Sequence, residues 1–233
     1  MKLGLVLAGG GGKGGYEIGV WKYLREIGLD QKISVISGTS VGGLNAILIS
    51  ICNYEIAEHI WTNEIENNIL DSTNQTNKNR AIFSREGLIR IIEKYIDLHK
   101  IQDSNKSIYV TCFNTSNLEA ESFCLNMYKT SEITKMLCAT SAIPVAFQSE
   151  NVLGKTYFDG GLTENVPIKP LIKENCTHAL IVNLGDEHVD YSGFALKTVV
   201  LHPSSDLGDL LTGTMDFSHE RSISRIKLGY DDC

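Results

Sequence analysis

Ile33-Ser34-Val35-Ile36-Ser37-Gly38-Thr39-Ser40-Val41-Gly42-Gly43, running into the apolar residues 44–51, is the stretch on which the fold turns. Residues 33–36 read as a short buried strand and 44–51 as an apolar helix, joined by a sharp glycine turn. The same order of events precedes it. Residues 3–8 read as a strand and residues 9–15 as a glycine turn. Residues 16–27 read as a helix in which Ile18, Trp21, Leu24 and Ile27 recur at helical spacing before Gly28. Strand, turn, helix, strand, turn, helix is the alternation of a parallel sheet covered by helices, so the fold class is α/β.

Downstream, helices are expected at 55–67, 85–96 (with Ser84 as cap and Leu88, Ile91, Ile92 and Tyr95 on one face), 131–139 and 217–228. Strands are expected at 107–114, 120–124, 156–158, 179–184 and 198–201, and residues 68–80, rich in Asn, Thr and Ser, read as an exposed loop. No internal repeat and no linker divides the chain, which reads as a single domain over residues 1–233.

The 233 residues, 42% hydrophobic and 21% charged, carry ample apolar material for a core. A formal charge of -7 without any lysine or arginine cluster speaks against a nucleic-acid partner and against permanent electrostatic docking on anionic membranes. Residues 1–7 are too short for a secretory core, and the longest apolar run, 44–52, falls far below the ~18 residues of a membrane span. The six cysteines, at 52, 112, 124, 138, 176 and 233, have neither CxxC nor zinc spacing. They read as free buried thiols of a reducing cytoplasm, with no metal site.

Two glycine turns carry chemistry. Gly38-Thr39-Ser40-Val41-Gly42 fits G-x-S-x-G between a strand and a helix, the context of a nucleophile elbow that lifts the Ser40 hydroxyl clear of the sheet. The plain alternative is a helix cap. Gly9-Gly10-Gly11-Gly12-Lys13-Gly14-Gly15 leaves backbone N–H groups free to converge on an anion beside a cation. As a P-loop it fails twice, with Leu7 at the first glycine position and Gly14 at that of Ser/Thr. As a dinucleotide fingerprint it matches literally, yet the acidic residue wanted after the second strand is replaced by Ser37-Gly38-Thr39-Ser40. An oxyanion hole serving Ser40 suits adjacent parallel strands better. Asp159-Gly160-Gly161 ends a third short strand in another turn. His178, His188, His202 and His219 follow Asp159, so a Ser–Asp–His order is available, but none lies in a glycine turn and the elbow comes too early for an α/β-hydrolase.

Together these motifs resemble the patatin-like phospholipase family: Gly9 to Gly14 as its G-G-G-x-[KR]-G loop, Gly38 to Gly42 as its G-x-S-x-G, and Asp159-Gly160-Gly161 as its D-G-[GA], in the family's order. Ala139-Thr140-Ser141-Ala142-Ile143-Pro144, Asn165-Val166-Pro167 and Gly229-Tyr230-Asp231 are similar to further family blocks. The resemblance implies a three-layer α/β/α patatin-like fold with a mainly parallel central sheet. It also implies a Ser40–Asp159 dyad without catalytic histidine, metal or cofactor, acting on phospholipids, acylglycerols or other fatty acyl esters. Gly9, Gly10, Gly11, Gly12, Lys13 and Gly14 would then bind the substrate oxyanion, and Gly38, Gly42, Gly160 and Gly161 would shape the turns. An aspartate is a weak base at its ordinary pKa, so Asp159 is expected to be buried. Leu44, Ile47, Leu48 and Ile51 are candidates for an acyl channel and residues 60–83 for a lid. The resulting expectation is a cytoplasmic protein that touches membrane surfaces transiently.

Overall fold

Leu3–Leu7 forms β1, Gly15–Glu26 α1, Ile33–Thr39 β2 and Val41–Ile51 α2 in the computed structural model, which describes residues 1–69, 84–144, 148–185, 191 and 193–233. β1 and β2 are parallel neighbours with Leu7 opposite Gly38, so both glycine turns open at the carboxyl end of the sheet. Open α/β sheets place their sites at that end.

The chain continues through α3 (Tyr54–His59), a π-turn (Ile60–Glu64), α4 (Ile65–Ile69), α5 (Arg85–Tyr95), β3 (Ser107–Asn114) and β4 (Glu119–Cys124). It then forms α6 (Thr130–Thr140), β5 (Glu150–Val152), β6 (Lys155–Asp159), α7 (Lys169–Lys173), β7 (His178–Val182), β8 (Lys197–Leu201) and α8 (His219–Asp231). The sheet order is β5-β6-β3-β2-β1-β7-β8, with β4 also paired to β3. β2, β1, β7 and β8 run parallel to one another and to β3, whereas β4 and β6 are antiparallel to β3.

Period-two alternation assigns the two faces of the sheet. Leu5, Leu7, Ile36, Ile108, Val110 and Val182 point into a large core shared with α1, α2, α5, α6 and α8. Their chain neighbours Val6, Val35, Tyr109 and Ile181 point into a smaller core covered by Ile168, Leu171 of α7 and Tyr191. The result is the expected three-layer α/β/α arrangement. α1 and α8 cross closely, because any Cβ on Gly19 would overlap the Ile226 carbonyl and any on Gly229 the Tyr16 carbonyl.

Several expectations need correction. The helix expected over 55–67 is interrupted by the π-turn Ile60–Glu64, which seats the buried indole of Trp61 against Gly14. Ile60, Trp61, Ile65 and Ile69 are all buried, so the described part of the candidate lid, 60–69, is packed on the core in this structure. The rest of the candidate lid, 70–83, lies outside the described residues. β5 and α7 carry no local sequence signal, since three residues show no alternation and α7 is barely more than one turn. All six cysteines are free, but only Cys112, Cys138 and Cys176 are buried. None of the described helices is long and apolar enough to cross a membrane.

Candidate active site

Ser40 sits between β2 and α2 with φ 54° and ψ −126°, a conformation that L residues rarely adopt. The strained turn is possible because side chains are missing around it. A Cβ on Gly38 would overlap the Gly42 backbone, and one on Gly42 the carbonyls of Leu7 and Ala8. Gly42 and Gly43 therefore belong to the first turn of α2, not to the turn preceding it. The Ser40 N–H donates to Thr140 Oγ1 at 2.9 Å, and the Thr140 hydroxyl donates to the Thr111 carbonyl at 2.6 Å. Three elements thus hold one strained residue.

Sheet register delivers the carboxylate. One edge of β3 is taken by β4, and the other is shared end to end by β2 and β6. Thr39 pairs with Thr111, and Asp159 pairs with the next residue, Cys112. This register sets Asp159 beside Ser40, whose hydroxyl is near enough to pull on the carboxyl's pKa. Gly161 N–H donates to Asp159 Oδ1 at 2.8 Å, and Asp159 N–H donates to the Ala142 carbonyl at 2.9 Å. Asp159 is 5% exposed, as expected. Burial pushes its pKa up to about 6, against the opposing pull of the nearby Ser40 hydroxyl and of the Gly161 N–H.

The first glycine turn abuts the serine: a Cβ on Gly9 would lie 3.2 Å from Ser40 Cβ. Gly11–Gly14 forms a 3-10 turn leading into α1, and Gly11 has φ +55°, open to glycine at no steric cost. Gly9 N–H donates to the Asn165 carbonyl at 3.1 Å and Lys13 N–H to the Gly10 carbonyl at 3.1 Å. Gly10 is the cap of the 3-10 turn Gly11–Gly14, so Gly10, Gly11 and Gly12 stand where N–H groups lack an intrahelical acceptor. Asn165 Nδ2 also donates to the Gly9 carbonyl at 3.2 Å, tying this loop to the segment after Asp159. Lys13 turns away and lines a separate cavity with His202, Ser204 and Asp206.

Beside Ser40 and Gly11 opens an apolar cavity lined by Leu44, Ile47, Leu48, Ile60, Ile92 and Phe217, among others. Three of the four expected channel residues are there; Ile51 is not. Such a lining cannot satisfy water and suits an alkyl chain.

Two of the candidate histidines have other partners. His178 is at the opposite end of β7, hydrogen-bonded to Thr177, and His219 Nδ1 pairs with the Thr62 carbonyl at 2.5 Å. His188 lies outside the described residues. Among the described residues, no group of three His, Cys, Asp or Glu side chains could hold a metal ion.

Residues 5–172 match the family profile of the patatin-like phospholipases. The chain belongs to this family. A relative from Invertebrate iridescent virus 6, "Probable lipid hydrolase 463L", is 29% identical over 185 residues, covering 72% of this chain and 63% of its own. The chain thus spans less than two thirds of that relative's length. Among solved structures, VipD from Legionella pneumophila is similar with a TM-score of 0.65 at 14% identity, over 99% of this chain and 66% of its own. ExoU from Pseudomonas aeruginosa, solved in complex with SpcU of the type III secretion system, gives 0.51 at 18% identity, over 99% and 52%. At these identities the likeness is one of fold.

In this patatin-like chain, residues outside the three motifs complete the site. Thr140 and Asn165 could be found only as members of family blocks whose roles their letters do not disclose. Asn45 donates to the Gly14 carbonyl at 3.0 Å and to Glu17 Oε2 at 2.8 Å, and accepts from Trp61 Nε1 at 2.9 Å. It therefore fastens the glycine loop and the cavity wall to α2. Glu17 is fully buried, and burial holds its carboxyl well above the usual range, the Asn45 hydrogen bond working against that. The available signal was a lone carboxylate on the apolar face of a helix.

Proposed function

We propose that the chain is a serine-dependent lipid acyl hydrolase, of the phospholipase A, lysophospholipase or esterase type, using Ser40 and Asp159. The observation that carries this reading is that sheet register sets a strained serine beside a buried carboxyl whose pKa is raised to about 6. A carboxylate poised there is a far better base than one near 3.8. Ser40 Oγ attacks the acyl carbonyl carbon and passes its proton to Asp159, which gives it to the departing alkoxide. Water, deprotonated by Asp159, then attacks the acyl-enzyme; the fatty acid leaves and Ser40 regains its proton. The N–H groups of Gly10, Gly11 and Gly12 stabilise the tetrahedral oxyanion, and one such donor is worth about 10²–10³ in turnover. The N-terminus of α2 adds its positive dipole end at Ser40. The acyl chain lies in the apolar cavity, with the head group outside it. Transient contact with a lipid surface delivers it.

The test is hydrolysis of a panel of phospholipids, lysophospholipids, acylglycerols and p-nitrophenyl esters by wild type and Ser40→Ala. Release of fatty acid by wild type alone supports the reading. A wild type that binds acyl lipid without turning over any of these esters contradicts it and identifies a binding protein.

A further inference from the structure

Arg225 stands on α8 and is 3% exposed, a burial that an unpaired cation does not tolerate. Its hydrogen bonds go to main-chain carbonyls. Nη1 donates to Asp216 at 2.6 Å, and Nη2 is shared among Leu207, Thr212 and Gly213 at 3.3, 3.2 and 3.2 Å. All four acceptors belong to residues 207–216, an irregular segment built around the π-turn Leu210–Thr214.

This segment backs the glycine loop. A Cβ on Gly11 would overlap the Thr214 carbonyl; one on Gly12 would overlap the Asp216 carbonyl and come within 3.0 Å of Arg225 Nη1. The Asp216 carbonyl is therefore gripped by Arg225 on one side and pressed on Gly12 on the other. The next residue, Phe217, lines the apolar cavity at Ser40. A flat, permanently charged fork with five donors spreads over four separated carbonyls, which an ammonium with three donors at a point cannot span.

We propose that Arg225 is a positioning residue for the oxyanion loop. By clasping residues 207–216 it holds Thr214 and Asp216 against Gly11 and Gly12, which keeps the N–H groups of Gly10, Gly11 and Gly12 aimed at the carbonyl that Ser40 attacks. The proposal rests on the hydrolase reading of that loop, and its test separates the two.

Arg225→Lys and Arg225→Met, each checked for a native circular dichroism spectrum and a cooperative melt, are compared with wild type in three measurements. These are kcat and KM on p-nitrophenyl butyrate, the Ki of an alkyl trifluoromethyl ketone whose adduct needs the oxyanion donors, and amide exchange over residues 9–14 and 33–51. We expect kcat to fall about 10²-fold with KM within about twofold, and the ketone to weaken by a similar factor. Within 9–14, exchange of the hydrogen-bonded Gly9 and Lys13 N–H groups should quicken by about tenfold or more while 33–51 stays as in wild type. Where the methionine variant does not fold, the lysine variant decides. A folded variant with unchanged kcat and unchanged exchange over 9–14 overturns the proposal, as does a loss shared by kcat, KM and both segments. A wild type inert on every ester, with the loop nonetheless loosened in the variant, overturns the hydrolase reading and keeps the clasp.

Discussion

Asp159 must be buried for its carboxylate to be basic, and burial of that carboxylate opposes folding. Between about 3.8 unfolded and about 6 folded, the native chain binds a proton that the unfolded chain has released. Stability therefore falls as pH rises through that window, by about 3 kcal/mol once both states are ionised. Asp159→Asn removes the titration, so denaturant melts should show it more stable than wild type at pH 7.5, with the gain vanishing near pH 4. An Asn variant less stable at both pH values would refute this ledger. In the proposed mechanism the same group sets the rate, so kcat/KM should rise with unit slope below about pH 6 and level off above it. A profile flat from pH 4.5 to 8 would remove Asp159 as base. Burial raises the Glu17 pKa in the same direction, and Glu17→Gln, which removes that buried carboxyl but keeps an oxygen to accept from Asn45, should be no less stable than wild type in denaturant melts at pH 7.

At the scale of elements, the elbow depends on a hydroxyl from a helix 100 residues away in sequence. Thr140→Val leaves the Ser40 N–H without its acceptor, and chemical denaturation should read a loss of about 1–3 kcal/mol. Esterase turnover should drop with it, because the strained Ser40 conformation loses its external support. Unchanged stability and turnover would show that the elbow holds itself. The sequence made this much of the fold readable: the strand–turn–helix units at β1 and β2, because apolar periodicity and glycine punctuation are local. The three motif turns were readable for the same reason. That Asp159 lies beside Ser40 was legible only through the family resemblance, since it follows from β2 and β6 sharing an edge of β3, a long-range pairing without local signature. Trp61 in its π-turn and Arg225 over its carbonyls were hidden likewise. Each is a residue of ordinary type whose partners are backbone groups or distant side chains.

Across the whole molecule, one face of the sheet carries the thick helical layer, and the apolar cavity lies within that layer next to Ser40. Cavity shape should then govern acyl length. Ile92→Trp, which fills the space between α5 and Leu48, should lower kcat/KM for dodecanoyl and longer esters more than tenfold while butyrate hydrolysis stays within about twofold. Equal losses on both would assign the cavity to packing alone. The account as a whole stands on Ser40 being a nucleophile armed by Asp159. Peptide-resolved mass spectrometry after brief exposure to an alkyl fluorophosphonate at pH 7.5 tests this most directly. It should find a single adduct on Ser40 in wild type, none in Ser40→Ala, and labelling slowed at least about a hundredfold in Asp159→Asn. An adduct on another residue, or equal labelling rates in wild type and Asp159→Asn, would contradict it.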